Sequence, residues 1–194
     1  MLQPHMFDPD LLAPEGIRKL SRREYDKLVD LGVFEDERVE LLRGMLVTMS
    51  PQGAPHATIT AWLAQRFIRM LDDSFDVRTH SPFAATEDSE PEPDVSVSRR
   101  AVGFSHPDSA LLLVEVSETS LRKDRLLKAP IYGESHVPEY WIVDISGTAL
   151  EVHVHTRPTA DGYRQIETLR DGDVLRPTKL DGVAINVADI PWTR

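Results

Sequence analysis

The chain has 194 residues, a length that fits one domain with its own hydrophobic core. It has 22 lysine and arginine residues against 32 aspartate and glutamate residues, and this net charge of −10 counts against an extensive basic surface of the kind that tracks phosphates. It contains no cysteine, so disulfide bonds and thiolate metal sites are excluded as well.

The start of the chain does not have the composition of a folded segment. Residues 1–16 carry three prolines without any apolar periodicity, which predicts a flexible arm ahead of a single domain at 17–194. No basic segment leads into an apolar stretch, and no apolar run approaches the ~20 residues that span a bilayer. We therefore expect a cytoplasmic protein without a membrane partner.

A short helix and a hairpin are predicted next. Ser21 and Glu24 form a capping-box pattern, and Gly32 is typical of the residue that ends a helix. Two apolar runs lie on either side of Arg43 and Gly44, a pattern that predicts a β-hairpin. The hairpin strands are predicted at 38–42 and 45–49.

The remainder of the chain alternates between helical and strand-like patterns. Apolar residues at helical spacing predict a second helix at about 55–71. A third helix, capped by Thr119 or Ser120, is predicted through Lys128 to Tyr132, and Pro130 would kink it. Strands are predicted at 77–83, 94–98, 111–117, 139–144, 150–156 and 163–169. This order predicts an α/β fold with one mixed sheet flanked by helices.

Three carboxylates lie in or beside the apolar strands: those of Glu40, Asp94 and Glu115. Burying an unpaired charge is costly, so these residue types at these positions favour function over stability. A divalent cation would neutralise them, and hard oxygen ligands suit magnesium or manganese. Each acid also has a non-functional interpretation. Asp94 could be an ordinary aspartate at a strand start, Glu115 could pair with an arginine, and Glu40 could be exposed at a hairpin edge.

Lys128 follows these acids on the predicted third helix. It lies four residues after Asp124 and four before Tyr132, so the three share one helical face. A lysine beside a cation could offset the charge that develops when a phosphodiester is cut. Taken alone, Lys128 also fits a solvated ion pair on the helix surface.

Three histidines are further candidates. His56 lies at the start of the second helix, where it could either bond to the backbone or assist at the rim of a site. His153 and His155 alternate with valines, so they share one face of a strand. They could bind a metal in a histidine-based metallohydrolase, but no third ligand stands at a suitable spacing. We expect them to form the solvent face of an amphipathic strand.

These residues occur in an order that resembles a known group of nucleases. Pro93-Asp94, Glu115 and Lys128 resemble the restriction-endonuclease-like superfamily, whose signature is PD-(D/E)XK. More closely, the chain is similar to the Uma family of proposed bacterial endonucleases over roughly residues 20–155. The blocks that carry this similarity are Glu40–Gly44, Met49–Pro51 with His56, Pro93–Val95, Glu115–Ser117, Asp124 with Lys128 and Tyr132, and Val137–Asp144.

One departure from the superfamily signature concerns the lysine. The signature places it two residues after the second acid, where this chain has Ser117. In the Uma branch the lysine comes from the following helix, and Lys128 stands at that place. The resemblance implies a restriction-endonuclease-like three-layer fold, with a central mixed sheet between helices.

The resemblance also implies a function and a site. It implies a hydrolase, a magnesium- or manganese-dependent endonuclease that cuts nucleic acid, with DNA favoured. The residues implied as metal ligands are Asp94, Glu115, the carbonyl of Val116 and Glu40. Lys128 would act in catalysis, with His56, Asp124 and Tyr132 assisting. The residues predicted to contact nucleic acid are Arg99, Arg100, Arg122, Lys123 and Arg125.

A second hypothesis is a catalytically silent module that keeps the nuclease fold and only binds nucleic acid or another partner. The net charge of −10 and the shifted lysine favour it. The complete set of three acids and a lysine favours the enzyme, because a decayed site should lose its acids first. The sequence leaves open whether the protein forms a homodimer.

Overall fold

A computed structural model describes residues 16–192, so the predicted N-terminal arm lies almost wholly outside the described residues. The helices are α1 (Arg22–Asp30), α2 (Ala54–Met70), α3 (Leu121–Lys123) and α4 (Ala129–Glu134), with a π-helical turn at Asp124–Lys128 between α3 and α4 and a 3-10 turn at Val187–Asp189. The strands are β1 (Val39–Leu42), β2 (Met45–Thr48), β3 (Phe75–Thr79), β4 (Val95–Arg99), β5 (Leu112–Ser117), β6 (Glu139–Asp144), β7 (Glu151–Thr159), β8 (Gly162–Leu169), β9 (Val174–Leu175) and β10 (Ile185–Asn186).

Six of these strands form the central sheet, in the order β3-β4-β5-β6-β7-β8. Strands β5 and β6 run parallel, and every other neighbouring pair in this sheet is antiparallel. The connection between the two parallel strands contains α3, the π-helical turn and α4, as a crossover connection requires. The sheet is therefore mixed, as the sequence predicted.

Both faces of the sheet are covered, and β5 shows how. Leu112, Val114 and Val116 pack in one core with α2, whereas Leu113 packs in a second core with α4. Alternate residues of a strand point to opposite faces, so a strand buried on both sides is apolar throughout. The predicted three-layer fold is confirmed, and Glu115 is the charged residue that β5 places on the α4 face.

The first hairpin forms a small sheet of its own. Strands β1 and β2 pair across Arg43 and Gly44, which have φ angles of 53° and 78°. Two consecutive positive φ angles are typical of the tight turns that favour hairpins. Leu41 also bridges to Glu90 in the loop ahead of β4, so all four residues of β1 are buried. This packing carries Glu40 into the protein.

Some predicted boundaries were wrong. Strand β3 ends at Thr79 instead of 83, because His80 has a φ of 48° and cannot continue an extended strand. The third helix is interrupted by the π-helical turn just before Pro130. Proline lacks an amide hydrogen and clashes with the carbonyl four residues earlier, and a wider turn relieves that clash. Strands β9 and β10 were not predicted.

The expectation that His153 and His155 form a solvent-exposed face is wrong. They are only 5% and 4% exposed. His155 packs against the rings of Tyr140 and Tyr163, and His153 lies beside Arg125 of the π-helical turn. An amphipathic strand has the same sequence pattern whether its polar face is exposed to water or packs against other residues. Alternation alone therefore could not distinguish an exposed face from a buried one.

No helix within residues 16–192 is long and apolar enough to cross a membrane.

Candidate active site

Asp94 and Glu115 lie opposite each other on neighbouring strands. The β4–β5 register pairs Val95 with Val114, so the residues just before and just after this pair are cross-strand neighbours on one face. Both side chains line a cavity of about 320 Å³, between the start of α2, the end of β2 and the α3 region. The fold thus directs two acids that are 21 positions apart in sequence into one pocket.

Lys128 enters this site from the π-helical turn. Its ammonium group lies 2.8 Å from Glu115 Oε1 and 3.0 Å from Glu40 Oε2, and its side chain is almost fully buried. The alternative of a solvated ion pair is therefore wrong. Burial disfavours the charge, but the carboxylates of Glu115 and Glu40 outweigh burial and raise the pKa of Lys128.

Glu40 is fully buried and binds two lysines. Its Oε1 accepts a hydrogen bond from Lys123 Nζ at 2.8 Å, and its Oε2 lies 3.0 Å from Lys128 Nζ. The amide of Glu92 also donates to Oε2 at 3.3 Å. Burial alone would raise the pKa of Glu40, but the two lysines lower it below its usual value. Glu40 is thus an ionised anchor for both ammonium groups.

Glu115 is buried, and other acids lie near it. Its Oε1 accepts hydrogen bonds from Lys128 Nζ at 2.8 Å and from the Tyr132 hydroxyl at 2.9 Å. Burial raises the pKa of Glu115 well above the usual value. The positive charge of Lys128 opposes this shift, whereas repulsion from Asp94 and Asp124 adds to it. Burial also raises the pKa of Tyr132 well above the usual value, so its hydroxyl keeps the proton that it donates.

Asp94 is held by three donors on different elements. The amide of Val116 donates to Oδ2 at 2.7 Å, His56 Nε2 lies 3.0 Å from Oδ2, and His80 Nδ1 lies 3.4 Å from Oδ1. Burial would raise the pKa of Asp94, but these contacts outweigh it and lower the pKa. His80 was missed by the sequence analysis, since a histidine at the end of a strand gives no signal of its role.

Ser117, which stands where the superfamily signature has its lysine, is hydrogen-bonded to Asp124. Asp124 Oδ2 accepts hydrogen bonds from the hydroxyls of Ser117 at 2.6 Å and Ser120 at 2.5 Å. Its other oxygen, Oδ1, is buried without a hydrogen-bond partner among residues 16–192. Burial raises the pKa of Asp124. The buried, unpartnered oxygen shows that the protein's own donors do not satisfy all the acceptors at this site.

Buried acids outnumber lysines around the cavity. The buried carboxylates are those of Glu40, Asp94, Glu115 and Asp124, and the nearby lysines are Lys123 and Lys128. Negative charge is thus in excess when all these groups are ionised. The carboxylate oxygens are hard metal ligands, which fits a magnesium or manganese ion. Within residues 16–192, however, no three histidine or acidic side chains are grouped so as to hold a metal by themselves.

The predicted basic contacts are dispersed. Lys123 lines the cavity, Arg122 is exposed beside it, and Arg125 is bonded to His153. Arg99 and Arg100 lie at the far end of β4 from Asp94, where they donate to Ser74 and Asp76 respectively. The structure brings Lys123 to the acidic site and leaves Arg99 and Arg100 away from it.

The protein is thus an α/β protein whose mixed sheet, between helical layers, carries opposed carboxylates and a buried lysine at one cavity. The sequence model of the Uma2 family, described as "Putative restriction endonuclease", matches residues 22–188. The chain belongs to this family, and the resemblance read from the sequence is confirmed.

One solved structure similar to this chain is that of a protein from Anabaena variabilis ATCC 29413, described as "a putative nuclease belonging to DUF820". The two chains are 14% identical, superpose with a TM-score of 0.68, and match over 88% of this chain and 97% of the other. At this identity the similarity establishes the fold alone. No curated protein matches the sequence.

Proposed function

We propose that this protein is an endonuclease that hydrolyses phosphodiester bonds in DNA with the help of a magnesium or manganese ion. The observation that carries the proposal is the excess of buried carboxylates over lysines around a cavity of about 320 Å³. A stable protein gains little from such an arrangement, because each buried unpaired charge is costly. A divalent cation would relieve it, and membership of the Uma2 family supports a nuclease.

The residues that would hold the cation are Asp94, Glu115 and the carbonyl of Val116. Magnesium commonly binds one or two carboxylates and keeps water or phosphate oxygens as its other ligands, so a third acidic side chain is not required. When bound, the ion supplies a Lewis acid for the phosphate and a water of lowered pKa.

Other residues of the site hold these groups in position. The Tyr132 hydroxyl and Lys128 orient Glu115 through its Oε1, while His56 and His80 orient Asp94. Lys128 would offset the negative charge that develops on the phosphate during cleavage. Glu40 was predicted to help hold the metal, but unlike Asp94 it does not line the cavity, and both of its oxygens face lysines. We assign it to holding the two ammonium groups instead.

The alternative of a catalytically silent binding module has its own support. Both oxygens of Asp94 and both oxygens of Glu40 are engaged by donors of the protein, and no ready-made group of three metal ligands lies within residues 16–192. A site held together in this way could persist without a metal. A cleavage assay decides between the two functions.

The assay measures nicking of plasmid DNA, and of a single-stranded substrate, with magnesium, manganese or a chelator. The matched variants are Glu115→Gln inside the cavity and Glu118→Gln, an exposed residue on its rim. We expect cleavage by wild type and Glu118→Gln only when metal is present, and none by Glu115→Gln. Equal nicking by wild type and Glu115→Gln at every metal concentration would establish contamination and favour the binding module.

A further inference from the structure

The π-helical turn brings together two lysines that an α-helix would separate. Residues five apart on an α-helix lie roughly 140° apart around its axis, on different faces. Here the amide of Ala129 bonds to the carbonyl of Asp124, an i to i+5 pattern that widens the turn. As a result, Lys123 and Lys128 both reach the single carboxylate of Glu40.

The two lysines differ in their access to the cavity. The side chain of Lys128 is 3% exposed and is bound on two sides by Glu115 and Glu40. The side chain of Lys123 is 31% exposed, lines the cavity, and has Glu40 as its acidic partner. One ammonium group therefore lies deep beside the carboxylates, and the other lies next to it at the mouth.

We infer that Lys123 binds the phosphate adjacent to the one that is cut, so that the substrate is a polynucleotide strand and not an isolated phosphodiester. The inference rests on the proposed function. Lys123 can exchange its bond to Glu40 for a bond to a phosphate, because Lys128 continues to compensate Glu40. Bonds between an ammonium group and a phosphate are charge-assisted and strong, and a nucleic-acid strand carries a phosphate at every nucleotide. Glu40 holds Lys123 in place until the strand arrives.

The test compares two substrates and three variants in the presence of manganese. The substrates are bis(p-nitrophenyl) phosphate, which has one phosphate, and a fluorescent single-stranded oligonucleotide. The variants are Lys123→Met, the charge-conserving Lys123→Arg, and the control Lys179→Met, which removes an equivalent charge from an exposed lysine at a different cavity.

We expect Lys123→Met to lower kcat/KM for the oligonucleotide at least tenfold more than for the single phosphodiester, mainly through KM. Lys123→Arg should retain most of the preference for the oligonucleotide, and Lys179→Met should match wild type on both substrates. Equal losses on the two substrates, or no loss on either, would overturn the role of Lys123 while leaving the proposed function intact. A wild-type protein no more active than Glu115→Gln on either substrate would overturn the proposed function, and this inference with it.

Discussion

At the scale of single residues, Lys128 links the stability of the site to its chemistry. It pairs with Glu115 and Glu40, and its removal would leave both buried carboxylates without their shared cation. We expect Lys128→Met to lower the free energy of unfolding by about 3–5 kcal/mol, the usual effect of breaking a buried ion pair. Urea unfolding of the purified variant measures this loss.

The control for this prediction is the double variant Lys128→Met with Glu115→Gln, which removes a positive and a negative charge together. It should regain much of the lost stability and remain inactive. If Lys128→Met alone were as stable as wild type, Lys128 would not hold the buried carboxylates as described.

Glu115 gives a second prediction, on pH. Its pKa is raised above the usual 4.5, so folding makes the neutral acid more favourable than it is in the unfolded chain. A raised pKa contributes stability that is complete below the unfolded pKa and is lost as the pH rises through the folded pKa. With a chelator present, wild type should therefore lose stability relative to Glu115→Gln as the pH rises above about 4.5. Thermal unfolding across pH, with and without magnesium, measures the difference.

Magnesium should reverse that loss in wild type and leave Glu115→Gln nearly unchanged, because a ligand stabilises the folded state that binds it. A difference between the two proteins that stays constant across pH would contradict the assignment of a buried, charge-repelled Glu115.

At the scale of elements, the close approach of α4 to the β7–β8 turn holds the lysine-bearing segment on the sheet. A methyl group added at Gly133 would overlap the backbone of Gly162. We expect Gly133→Ala to destabilise the protein by about 1–3 kcal/mol, since overpacking displaces whole elements. The control is Gly147→Ala, where a Cβ meets only ordinary contacts. Equal midpoints of urea unfolding for the two variants would contradict this packing.

Most elements could be predicted from the sequence, because their signals are local. Three examples are the capping box at Ser21, the Arg43-Gly44 turn and the apolar run of β5. The residues of the first two favour a particular backbone conformation, and the residues of the third favour burial. The residues on each face of β5 follow from the alternating direction of side chains along a strand. The three-layer fold came from the resemblance to a known family together with these patterns.

The parts that could not be predicted depend on tertiary contacts. The site residues Asp94, Glu115 and Lys128 were named from the sequence, but which residue bonds to which was not. Nothing local shows that Glu40 anchors two lysines, that a π-helical turn aligns them, or that His80 adopts a positive φ beside Asp94. The catalytic roles of Asp94, Glu115 and Lys128 remain predictions.

At the scale of the whole molecule, the charge of −10 limits how the protein can hold nucleic acid. Lys123 and Lys128 are the lysines at the cavity, and Arg99 and Arg100 lie at the other end of β4. The slope of log affinity against log salt follows the number of neutralised phosphates, so we expect a shallow slope of about −2. Anisotropy of a labelled duplex with calcium in place of magnesium measures it. A slope steeper than about −5 would require more basic contacts than the two lysines at the cavity provide.

The central claim is that Asp94 and Glu115 bind one divalent cation in the cavity beside Lys128. A crystal structure with manganese and a short oligonucleotide tests it most directly, because manganese is located by its anomalous scattering. We expect a manganese ion bound by one oxygen from each of these two carboxylates, at about 2.0–2.6 Å, with a phosphate on its open side. A cavity without manganese at a concentration that supports cleavage, or a manganese ion bound elsewhere, would contradict it.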